Sequence, residues 1–190
     1  MNETEYKGIL HKEVNKLASI NPRFHRIASM LLDHIIMTFV IVPPWGLLMI
    51  TMASGIMTFD DQILRIGFLS MFFIYLNKDF YKAKSPAKRL LGYQVINRKN
   101  EKPATELQCF IRNLTLCVAW PLEVIVGLLN PERRIGDFIA NTKVVASEKE
   151  KLITIWTDIK NTNLKLNFIG IVIIGGIYLY GLSLLMPNMN

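Results

Sequence analysis

The chain has 190 residues, is 51% hydrophobic with a mean hydropathy of +0.29, and carries a formal charge of +7. It is too apolar for an ordinary soluble domain and too short for a large transporter, and it fits three or four membrane segments. Its lysines and arginines gather before the first apolar run, after the second and before the last. The positive-inside rule accounts for that pattern without nucleic acid.

Residues 1–22 place Tyr6, Ile9, Leu10, Val14 and Leu17 at helical spacing among lysines, the pattern of an amphipathic helix lying on the inner membrane surface. Arg26 then opens an apolar run, expected as a helix over about 26–57 with a bend at Pro43-Pro44. Asp33 stands seven residues after Arg26, on the same stripe but roughly 10.5 Å along the axis, too far for an easy direct pair. Arg26 can snorkel toward headgroups, whereas Asp33 sits at hydrocarbon depth. A carboxylate there is either an interhelical hydrogen-bonding residue or a functional acid. His34 is adjacent in sequence but about 100° round the helix, and reads as a packing residue.

Thr58 and Asp61 resemble a capping box opening a second helix over 61–77. Ser85 as N-cap, Pro86 at the first helical position and Gly92 at the C-cap define a short basic helix, and YQVIN follows with strand character. Ser85, Lys88 and Arg89, with Lys84, read either as an anion or headgroup site at a helix start or as a solvated basic loop.

The third apolar segment, 108–130, contains Arg112 and Glu123 and is broken at Trp120-Pro121. It either crosses once or turns at Pro121 as a re-entrant hairpin. The hairpin is preferred, because it keeps both basic flanks on one side and lets YQVIN pair with the later TKVVA. Arg134 and Asp137 follow near the inner interface; 147–163 reads as an interfacial linker helix and 164–190 as a final, uncharged span. The expected fold is thus an all-α polytopic membrane protein of about three full transmembrane helices plus this proline-broken segment, with a small cytoplasmic strand pair. The N-terminus is expected in the cytoplasm and the C-terminus outside the cell membrane.

Three stretches, RIASMLLD with Arg26 and Asp33, SPAKRLLGYQVI, and RRIGDFIANTKVV with Asp137, together resemble the RDD family of membrane proteins over residues 20–146, leaving the last span outside. The resemblance makes 23–146 the membrane domain and Arg26, Asp33 and Asp137 its signature residues. Ala87 stands where the family's usual SPGK has glycine, which speaks against a close backbone approach at that loop, and Asn141 interrupts the usual AGT. Transport, including cation/proton antiport, is the activity the family suggests. Asp33 would then alternate between a proton and a monovalent cation, with Arg26 tuning it and Asp137 as relay or salt-bridge partner. The rival is a non-catalytic accessory or scaffold protein that binds anionic lipid, a membrane-protein partner or further copies of itself. Cys109 and Cys117 match no metal or redox spacing, and neither a nucleotide loop nor a Ser/His/Asp grouping is present, so no enzyme, metal or cofactor is expected.

Overall fold

The computed structural model describes residues 21–130, 132–161 and 166–185. The amphipathic helix expected over 1–22 lies outside the described residues. Helix α1 runs unbroken over Pro22–Ala53, 32 residues, and Pro43 and Pro44 sit inside it. The helix is not interrupted at the proline pair, and it stops at Ser54 rather than near residue 57. At about 1.5 Å per residue α1 is roughly 48 Å long, so it must tilt or project beyond a hydrocarbon core of about 30 Å.

Helix α2, Asp61–Leu76, starts from Asp60 without a side-chain cap, so the Thr58 capping box is not made. It runs antiparallel to α1: Phe68 meets Trp45 at 5.8 Å between ring centroids, and Tyr75 meets His34 at 6.1 Å. A 3-10 turn at Tyr81–Ala83 leads to α3, Pro86–Leu91, bounded by Ser85 as N-cap and by Gly92 at φ 75. Strand β1, Tyr93–Asn97, pairs antiparallel with β2, Thr142–Ala146, with Val95 opposite Val144. The strand pair expected between YQVIN and TKVVA is therefore present.

Helix α4, Glu106–Leu129, contains one non-helical residue, Ala119, at φ −127 and ψ 31. By length and composition three helices could cross a membrane: 23–53, 106–129 and 166–184. The contacts of α4 nevertheless fold it back on itself. The Thr115 hydroxyl donates to Glu123, eight residues on, which a straight helix would hold roughly 12 Å away along its axis. On α1, Trp120 lies against His34 while Gly127 lies level with Met30, one turn back toward the start. The chain thus rises to Ala119, turns at Trp120-Pro121 and descends, which is why β1 and β2 can meet. These contacts fit the hairpin rather than a straight helix through this segment.

Helix α2, at 16 residues or about 24 Å, runs back alongside α1 and is shorter than a hydrocarbon core of about 30 Å. After α5, Ile135–Ala140, and β2, the short helix α6, Thr154–Asn161, starts later than the 147 expected for the linker, whose residues 162–163 lie outside the described residues. Helix α7 spans Leu166–Leu184. A Cβ at Gly175 of α7 would come within 2.6 Å of the Phe73 ring, so this glycine is what lets α7 close on α2 and α4. Leu76, Phe110 and Ile171 form the fully buried centre of that contact. A second core, Val95, Val144, Ala83, Ala104 and Cys109, backs the sheet, and Cys109 is a packing residue there.

Candidate functional site

Where the helices meet the sheet, the bundle encloses a layer of charge. Asp33 lies at its edge with 2% exposure, and both of its oxygens are engaged. Oδ2 accepts from the Ser85 hydroxyl at 2.7 Å and the Lys88 ammonium at 3.1 Å; Oδ1 accepts from the Ala87 amide at 3.1 Å. The N-cap geometry of Ser85 presents this cradle, because the start of α3 leaves its first amides unpaired and turned toward α1. The backbone does approach Asp33 closely, and alanine at position 87 serves as well as glycine.

Lys88 bridges onward to Asp79 Oδ1 at 2.7 Å. Arg112 Nη1 binds the other oxygen of Asp79 at 2.7 Å, and the same guanidinium grips Asp137 with Nε at 2.7 Å and Nη2 at 3.2 Å. Asn113 steadies Asp79 and receives Arg134 Nη2 at 2.5 Å, while the Thr142 hydroxyl donates to Asp137 at 2.7 Å. Burial raises the Asp79 carboxyl, but Lys88, then Arg112 and Lys78, outweigh it and hold the group far below the usual carboxylate range. Asp137 is likewise raised by burial and held down further by Arg112 and Arg134. Lys78, just beyond α2, is pushed down to about 8 by burial, with Asp33 opposing the shift.

Glu123 on the descending half of α4 is fully buried and accepts from the Gly136 amide at 3.0 Å as well as from Thr115, with Arg134 Nε at 3.8 Å. Arg26 departs from expectation. It does not snorkel to headgroups but is buried beneath Tyr93, its guanidinium 5.6 Å from the ring centroid, and one of its terminal nitrogens is buried without a hydrogen-bond partner. Asp137 is the partner of Arg112 rather than of Arg26 or Asp33.

Arg89 belongs to a separate clasp. It binds Glu150 at 2.5 Å and Asp158 at 2.7 Å, while Lys84 binds Glu150 and Lys82 binds Asp158, strapping α6 to α3. Ser85, Lys84, Lys88 and Arg89 are all buried and met by the protein's own acids or helix start, so neither an anion site nor a solvated loop describes them.

A layer of this composition, carried by α1, the α2–α3 connection, a proline-turned hairpin and α5, is matched as a whole by the RDD family model, over residues 21–186. The chain belongs to the RDD family. The match runs past residue 146, so in this RDD protein α7 falls within the matched region. No curated protein and no solved structure matches the chain.

The signature residues Arg26, Asp33 and Asp137 all border the one layer, together with Ser85, Lys88, Arg112, Glu123 and Arg134. Arg89 stands outside it. Sequence reading missed Asp79, Asn113, Thr142 and the clasp acids Glu150 and Asp158. Asp79 had a signal, being the lone acid between Asp61 and Glu101 in a strongly basic stretch. Among the described residues no three His, Cys, Asp or Glu side chains group as a metal site.

Proposed function

We propose that this RDD protein is a non-catalytic membrane scaffold or accessory protein of the cell membrane. Its N-terminus and charged layer face the cytoplasm, its C-terminus lies outside, and it serves a lipid or membrane-protein partner or further copies of itself. The observation that carries this reading is the saturation of Asp33: three donors, one of them a lysine, occupy both oxygens in a pocket with 2% exposure. A carboxylate so held is a lock between α1 and α3, and exchanging its partners would expose uncompensated charge. The orientation rests on the basic flanks.

Cation/proton antiport is the second reading, and one observation favours it. The Lys88 ammonium is held by three oxygens, Asp79 Oδ1 at 2.7 Å, Asp33 Oδ2 at 3.1 Å and Ser85 Oγ at 3.1 Å, a set of ligands that a monovalent cation could share in its place. Exclusive occupancy would then couple the two fluxes at Lys88 rather than at Asp33 alone.

Proton flux in reconstituted liposomes, scanned over Na⁺, K⁺ and Li⁺, separates the two. The scaffold reading expects folded wild-type protein to move no protons in response to any of the three. Cation-dependent proton release that disappears in both Asp33→Asn and Lys88→Met would replace it with antiport.

A further inference from the structure

Between α1, α2 and the tip of the α4 hairpin lies a cavity of about 430 Å³. His34, Thr38, Trp45, Phe68, Tyr75 and Trp120 are among its lining residues, and its walls are almost wholly apolar. Along α1 it extends from His34 to Gly46, roughly 18 Å at about 1.5 Å per residue. One leaflet of a bilayer core spans roughly 15 Å, so the slot has the length of a single lipid chain. The residues of α1 beside it, Phe39 and Val42, are exposed on the outer surface of the bundle, at the depth where lipid chains lie.

The lower end of the slot is not apolar. His34 Nδ1 and the Tyr75 hydroxyl are 3.3 Å apart, and the Lys78 ammonium sits 4.6 Å from the centroid of the same Tyr75 ring. Among the described residues Lys78 makes no direct salt bridge, unlike Lys82, Lys84 and Lys88 around it, although Asp33 and Asp79 are near enough to act on it. An ammonium resting on an aromatic face at the end of an apolar slot is the complement of a chain that ends in an acid.

We infer that this cavity binds the acyl chain of an anionic lipid, with the chain along His34 to Gly46 and the acidic headgroup on Lys78. The apolar slot itself takes no group from the Asp33–Lys88–Asp79 chain; Lys78 makes no direct bond to that chain but lies within its electrostatic reach.

The test uses full-length protein in neutral detergent, in a Trp156→Phe background, because Trp156 is exposed on α6 while Trp45 and Trp120 line the slot. Dibromostearate is expected to quench the remaining tryptophan fluorescence saturably. Gly46→Leu, whose new Cβ meets nothing within 4 Å, fills the slot without displacing backbone and should weaken binding about tenfold or more. Thr38→Leu fills it from a second position, should one variant fold poorly. Lys78→Met should weaken dibromostearate to the level of its methyl ester and leave the ester unchanged. A brominated phosphatidate run alongside tells a phospholipid from a free fatty acid, the tighter binder being the source. Quenching that never saturates, or that the slot-filling variants leave intact, overturns the site. Saturable binding in which acid, ester and Lys78→Met are indistinguishable overturns the anionic headgroup.

Discussion

At Gly136 a single hydrogen atom in place of a side chain lets the charged layer close. A Cβ there would come within 1.9 Å of the Arg112 carbonyl oxygen, a backbone atom that cannot swing away. The contact brings α5 against the rising half of α4, so that Asp137 reaches Arg112 and the Gly136 amide reaches Glu123. Gly136→Ala is therefore expected to prevent recovery of monodisperse protein, read by size exclusion after membrane extraction. Asp79 sets a second residue-scale expectation. Its neutralisation leaves Lys88 with only Asp33 and Arg112 with only Asp137, one buried positive charge in excess of before, and breaking a buried pair from one side costs about 3–5 kcal/mol. Asp79→Asn should lower the thermal midpoint accordingly. Lys143→Met, which breaks a pair with the 73%-exposed Glu101, should shift it by at most about 1 kcal/mol in equivalent stability.

At the scale of elements the hairpin of α4 is the feature that decides the rest. Pro121 removes an amide that a continuous helix would use, and Ala119 leaves the helical region one turn after Thr115. Irregular backbone at membrane depth survives only where protein or a wet cavity satisfies it. Here Glu123, Thr115 and the Gly136 amide supply the polar contacts and Trp120 packs on His34. The fold-back predicts that single cysteines at Lys102 and Glu132, placed in a Cys109→Ser, Cys117→Ser background, label from the same side of sealed vesicles with a membrane-impermeant thiol reagent. Labelling from opposite sides would mean that α4 crosses. The clasp on α6 follows a different logic, with one buried arginine holding two acids of a helix whose Trp156 and Ile153 stay exposed.

Across the whole molecule, the carboxylates set the response to acid. Asp79, Asp137, Glu150 and Asp158 are all held below their ordinary values, by Lys88, by Arg112, by Lys84 and by Lys82 and Arg89 respectively, against the upward push of burial. Groups shifted in that direction contribute fully above the unfolded carboxylate range of about 4, and the contribution fades as pH falls through the lower folded values. These four carboxylates are therefore expected to contribute fully from about pH 7 to about pH 5, and the fall in thermal midpoint that they cause should begin only below that. Lys78 has the opposite sign. With its folded value at about 8 against 10.5 when unperturbed, the cost of burying its charge is complete below about 8 and is relieved as pH rises toward 10.5. Lys78→Met should raise the midpoint at neutral pH, and the gain should shrink in alkaline buffer, a comparison that scanning calorimetry makes directly.

Much of this molecule follows from local pattern. Apolar runs of sufficient length, Ser85-Pro86 and Gly92 around a short helix, and strand-forming YQVIN and TKVVA determine the elements, because capping, hydropathy and β-branching act within a few residues. The spacing of Arg26, Asp33 and Asp137 determines the family. Which acid meets which base was decided only in three dimensions. Arg26 and Asp33 share a stripe, yet Lys88 reaches Asp33 from another element and Arg26 lies beneath Tyr93 instead. Asp79 meets Arg112 across 33 positions of sequence, a pairing that no helical spacing reports. The tertiary structure also decided that Pro43 and Pro44 leave α1 continuous while Pro121 turns α4. The first pair lies exposed within one long helix, whereas Pro121 follows a residue that has already left the helical region and leads into Glu123, which is held against the rising half. Local chemistry chose the parts; the pairing of most of the charge taken out of water chose how they join.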